Sequence, residues 1–408
     1  MEIFKDHLFL ASPFFVFLTI GIIVRKQPFS FLLNAGIFFI IFHWASFFIL
    51  AIPDSNYYIQ KSFLFNSVQN AFWSLNGAAH LFPITGLLYS SRSLLGDDFR
   101  IYIPFINCFC VSAFLYSPSL CLNNWRWHWN YKTVLMICAL FAMPSFISLA
   151  VSASKDLVFI LYFLCFVFSS IKIFNSLIYK FEIFSFLISI LVMIISIQAI
   201  KYIRNYMHPI LLCGAFIGFF SYLIVIKMNK LHKKNSFLNI NFILPIITIA
   251  NCFLLLGVIL YLKIDQITSS NSIYIGASQI NEILYFKLDV NIMNPLFLSF
   301  YSIFTNFTVC FYDVFNNFSL EYNKKLVCLF EGFIFLFLFF SVLFKKEKNI
   351  IDCIILAITI IHITIITWAA PNLGALLRYR LMEVVIMVIY IAGRNQQEKL
   401  LVNKNKSL

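Results

Sequence analysis

Long apolar runs, broken by short polar clusters, set the pattern of this chain from end to end. A membrane-spanning helix needs about 20 mainly apolar residues. Runs of that kind lie near 7–24, 29–53, 101–119, 134–152, 157–179, 183–200, 208–226, 238–262, 326–344, 349–369 and 374–393. They predict an all-α, polytopic integral membrane protein of about 11 transmembrane helices, within a range of about 10–13. Their richness in Ile, Val and Phe is no objection, because lipid forces helix whatever the propensity.

Two stretches depart from the pattern. Residues 76–95 are apolar but interrupted by Gly77, His80, Pro83 and Gly86, and read as a re-entrant or interface-lying segment. Residues 293–318 mix aromatics with Asn294, Asn306, Asp313, Asn316 and Asn317, which suits short amphipathic helices in a long loop. No repeat of about 20–50 residues is visible. With no Gly/Pro linker either, residues 1–408 read as one transmembrane domain that includes loop 264–323.

Composition agrees with the pattern. The chain is 61% hydrophobic and only 12% charged, with a mean hydropathy of +0.89. Soluble domains carry about 25% charged residues, so too little polar surface remains to cover a water-facing fold. The net charge of +13 raises the question of nucleic acid. No basic stripe lies on a soluble fold, however, so no nucleic-acid partner is expected. Cys108, Cys110, Cys138, Cys165, Cys213, Cys252, Cys328 and Cys353 lie in apolar runs and read as small hydrophobes. The first run, near 7–24, is followed by Arg25 and Lys26 without a small-residue cleavage site, and reads as a retained helix.

Basic clusters give orientation. Lys227, Lys230, Lys233 and Lys234, then Lys345, Lys346 and Lys348, then the Arg394–Lys406 tail all reach the cytoplasm only if 264–323 stays outside. The amino terminus is then outside and the carboxyl terminus inside. Unusual charges fall on the outer face in this topology, where the general bias opposes cations and a specific reason is needed.

Four groups of residues are candidates for chemistry. Arg378 and Arg380 enter the last run, with Glu383 one turn on. Guanidinium offers paired donors that suit a diphosphate. On a helix the two arginines are about 200° apart, so one of them faces a given pocket. Arg380 could instead pair with Glu383, or both arginines could anchor a helix end. Lys155 and Asp156 follow a proline-containing helix end and read as a phosphate-binding Lys beside a carboxylate, or as a capped turn. Asp54, after Pro53, could deprotonate a sugar hydroxyl or cap a helix in the loop. Lys201 and Arg204 make a positive patch suited to phosphate or lipid headgroups. Trp125, Trp127 and Trp129 read as an aromatic belt, while Glu331, Asp352 and His362 are ionisable groups inside apolar runs. Walker A, GxGxxG, HExxH and GxSxG signatures do not occur.

The chain resembles the bacterial O-antigen or repeat-unit polymerases, the Wzy family of GT-C-type membrane glycosyltransferases. The likeness rests on chain length, the apolar runs, the long loop at 264–323 and the outer-face arginines. Pro144-Ser145 … Ser154-Lys155-Asp156 and Asn372-Leu373-Gly374 … Arg378-Tyr379-Arg380 are similar to short motifs of such polyisoprenoid-dependent enzymes. The resemblance implies polymerisation of undecaprenyl-diphosphate-linked oligosaccharide repeat units at the periplasmic face of the bacterial inner membrane. By that reading Arg378, Arg380, Lys155, Lys201 and Arg204 hold the diphosphates, and Asp156 or Asp54 is the general base. The partners are the lipid-linked oligosaccharide, membrane lipid and a chain-length regulator protein. No DxD-like acidic pair follows an early helix, so neither metal nor another cofactor is expected. Two alternatives are a GT-C transferase that uses a polyprenyl-phosphate sugar donor and a flippase for the lipid-linked oligosaccharide. The lack of internal symmetry speaks against the flippase.

Overall fold

A chain this apolar can satisfy its backbone in lipid only by bonding within each segment, and every regular element among the described residues is a helix. The structure is a computed structural model; it describes residue 41 and residues 53–64, 84–121, 131–178, 182–204, 207–231, 243–256, 258, 322–345, 349–369 and 378–392. The expected runs near 7–24 and 29–53 lie outside these residues apart from residue 41 and Pro53, as do the Trp125–Trp129 belt and loop 264–323 apart from its last two residues, 322 and 323, which open a helix. The helices are α1 (Pro53–Phe63), α2 (Ile84–Leu95), α3 (Phe99–Cys121), α4 (Tyr131–Ala142), α5 (Pro144–Val151), α6 (Lys155–Ile178), α7 (Ile183–Ile203) and α8 (Met207–Leu231). They are followed by α9 (Ile243–Leu256), α10 (Tyr322–Leu343), α11 (Ile350–Ala369) and α12 (378–392).

Three of them, α6, α7 and α8 over Met207–Ile226, are long and apolar enough to cross a membrane. They fall on the expected runs at 157–179, 183–200 and 208–226. The run at 134–152 behaves differently from the expected single span: α4 and α5 meet at 75°. Pro144 explains the break. It lacks an N–H, and its ring drives the preceding residue out of the helical region. Met143 accordingly sits at φ −77°, ψ 118°. In the 76–95 stretch, α2 occupies Ile84–Leu95, and its 12 residues rise about 18 Å, short of the ~30 Å hydrocarbon core.

Two compact units divide the chain. One comprises Met1–Phe168, Ile190–Asn205 and Asn395–Leu408; the other comprises Ser169–Ser189 and Tyr206–Arg394. In the first, α1, α2 and α3 pack together. Arg92 of α2 donates to Ser62 O of α1 at 2.6 Å, and Ser62 Oγ lies 3.3 Å from Tyr102 Oη of α3. Gly96 closes α2 with φ 90°, a left-handed geometry that glycine adopts without strain.

In the second unit α8 and α11 pack closely. A Cβ on Gly218 would lie 2.6 Å from Ile354 Cα and 2.7 Å from Cys353 O. One on Gly214 would lie 2.9 Å from Ile358 Cγ1. This small-xxx-small pair lets two backbones approach as side-chain-bearing positions cannot. Around it Val225, Leu244 and Cys353 form a buried cluster with Tyr222, Ile243 and Ile247. Asn251 Nδ2 of α9 donates to Ser221 Oγ of α8 at 3.0 Å.

Candidate functional site

In the first unit, polar groups gather where α5 gives way to α6. Helix ends leave backbone groups unsatisfied. Here Asn107, buried on α3, donates Nδ2 to Ala150 O (2.8 Å) and Ser152 O (2.9 Å) at the end of α5. Ser154 Oγ then accepts the backbone N–H of Asp156 (3.1 Å), capping α6. Asp156 itself is ion-paired with Arg204 Nη2, just past the end of α7, and both side chains are buried. The Arg204 guanidinium also stands over the Phe159 ring, 5.0 Å from its centroid. Thus the expected base and one expected diphosphate ligand are bound to each other. Lys155 is half-buried and Lys201 exposed. Asp54 stands in the first turn of α1, and its side chain lies outside the described residues.

In the second unit α11 and α12 carry a polar seam. Asp352, Thr359 and His362 lie on one face of α11, at spacings of seven and three residues that return to the same side. Glu383 and Tyr390, seven apart, do the same on α12. Asp352 meets Tyr390 and His362 meets Glu383, so the helices run antiparallel.

The seam has two unlike ends. Near the α11 amino terminus every charge is satisfied: Lys345 Nζ donates to Asp352 Oδ2 (3.1 Å) and Tyr390 Oη (3.0 Å). The Tyr390 hydroxyl donates to Asp352 Oδ1 (2.8 Å), and the Asn349 N–H donates to Asp352 Oδ2 (2.8 Å).

At the other end several buried polar atoms have no hydrogen-bond partner. His362 Nδ1 is bonded to Glu383 Oε1, and both side chains are fully buried. Five of the eight unpartnered buried side-chain atoms among the described residues cluster on these two helices: Thr359 Oγ1, His362 Nε2, Arg380 Nη1 and Nη2, and Glu383 Oε2. Arg380 is 1% exposed, beside Gly332 and with its guanidinium 5.7 Å from the Phe335 centroid. Glu331 of α10 and Glu383 are the carboxylates whose charges act on it. A buried ion without bonds costs several kcal/mol, on the order of 3–5 for a broken pair, so such groups in apolar helices mark function by default.

Of the two arginines expected as diphosphate ligands, Arg380 is the buried one and Arg378 is half-buried. Glu383, a possible partner for Arg380 in the sequence, is bonded to His362 instead. That cross-helix pair escaped the sequence reading, although His362 stood out as an ionisable residue in an apolar run. Among the described residues no three His, Cys, Asp or Glu side chains converge as metal ligands.

Fold and site together define a chain whose described elements are all helices, three of them suited to a bilayer, and whose apolar interior holds an Arg–His–Glu cluster with unpartnered polar atoms. No protein-family model matches the chain, and no curated protein and no solved structure matches it either.

Proposed function

We propose that the chain is a multi-pass protein of the bacterial inner membrane that polymerises undecaprenyl-diphosphate-linked oligosaccharide repeat units at the periplasmic face. One observation carries the reading: the buried Arg380 guanidinium has two terminal nitrogens without an acceptor. A guanidinium in that state is a preformed seat for an anion with two or more oxygens, and a diphosphate has that shape. In the topology expected from the basic clusters, the end of the α11–α12 seam that holds Arg380 faces outward. When a glycan leaves its lipid carrier, negative charge develops on the departing diphosphate, and a fixed cation beside it lowers the barrier. The Phe335 ring and the apolar helices around Arg380 exclude water and strengthen that interaction.

The test is the glycan ladder of a strain lacking the chain, complemented with Arg380→Ala, Arg380→Lys or the unaltered sequence. Arg380→Ala is expected to stop products at one repeat unit. Arg380→Lys restores little, since an ammonium is not a planar two-pronged donor. Normal ladders from Arg380→Ala at unaltered protein level would remove the assignment. In the deletion strain the accumulated unit is expected to be reachable by labels from outside; a unit confined inside would point to a flippase.

A further inference from the structure

The Arg380 site contains a second device that anion binding does not use. His362 is held at Nδ1 by a Glu383 oxygen, while its Nε2 is buried and has no partner. An ionised carboxylate only accepts, so the bond fixes the proton on Nδ1 and leaves the Nε2 lone pair available. We infer that His362, oriented by Glu383, is the general base that takes the proton of the acceptor sugar hydroxyl. The inference rests on the lipid-linked transfer proposed above.

Charge supports this choice. The groups that act on one another here are Arg380 and Glu383 from α12 and Glu331 from α10. From α8, which runs antiparallel to α11 with Gly214 at Ile358, the titratable residue nearest that level is His208. When His362 accepts a proton, the imidazolium formed lies against the Glu383 carboxylate. Asp156, the base expected from the sequence, is by contrast already bound to the fixed cation of Arg204.

The step balances. The acceptor O–H proton passes to His362 Nε2, and the freed oxygen forms the new bond to the anomeric carbon of the donor glycan. The bond from that carbon to the diphosphate oxygen breaks, and its electron pair leaves with the lipid diphosphate, which Arg380 holds. The proton on Nε2 then passes to the departing diphosphate.

The experiment reconstitutes purified full-length protein with lipid extract from cells that lack the chain, which holds the accumulated repeat unit. Ladder formation is followed over a range of repeat-unit concentrations, so that kcat and KM are read separately. His362→Gln is expected to lose about 10²- to 10⁴-fold in kcat, with KM kept. Glu383→Gln, nearly isosteric, is expected to lower kcat with KM kept, because it no longer fixes the His362 tautomer, which tests the pair even where His362→Gln fails to fold. A folded His362→Gln variant with unaltered kcat, or a Glu383→Gln variant with unaltered kcat, overturns the inference while the polymerase reading stands. No ladder from the unaltered protein overturns both.

Discussion

Tyr390 donates its hydroxyl to Asp352 across 2.8 Å, tying the last turns of α12 to the first turn of α11. Lys345 closes the triangle from beyond α10, so this end of the seam is a finished set of bonds. Tyr390→Phe is therefore expected to cost about 1–3 kcal/mol of stability, measured by thermal unfolding in detergent. Ladder length at matched protein level should stay unaltered, in contrast to Arg380→Ala at the opposite end.

The Asp156–Arg204 pair makes a different prediction. Either Asp156→Asn or Arg204→Ala strands a buried charge and should cost about 3–5 kcal/mol. Replacing both residues by apolar ones of similar volume should cost far less. A double-mutant cycle on unfolding midpoints measures the difference. Equal, additive losses would mean that the two side chains act separately.

Asn107 holds two carbonyls at the α5 terminus with one amide. Asn107→Ala leaves Ala150 O and Ser152 O without that donor, and a loss of about 1–3 kcal/mol is expected. Asn107→Asp should be at least as harmful, because a carboxylate has no proton to give. Unfolding of the three purified proteins side by side decides the order.

Gly218 has no room for a side chain. Gly218→Ala must displace the α11 backbone at Ile354 and is expected to cost about 1–3 kcal/mol, and Gly218→Leu should prevent recovery of monodisperse protein. Size-exclusion profiles from detergent extracts supply the readout.

How much of this was legible beforehand depends on what kind of information each feature needs. Helices such as α6 and α7 are written in local composition, because lipid admits few other solutions. Pro144 stood within the run expected at 134–152, yet the apolar residues continue across it, and hydropathy does not register a 75° turn. Asp156 and Arg204 each stood out alone. Their pairing joins positions 48 apart and depends on where α7 ends relative to α6. His362 and Glu383 lie 21 apart on neighbouring helices, and their meeting depends on how each helix is rotated. The four-residue spacing of Gly214 and Gly218 is a packing motif legible in the sequence, but the helix it meets, α11, is not.

The approach of α8 to α11 at these glycines has a mechanical corollary. With main chain against main chain, α11 has no side-chain cushion over which to slide or swivel by small degrees; a new seating would require a jump of about 5.4 Å, one full helical pitch. Any rearrangement that moves α11 must then carry both helices together as a stiff bar.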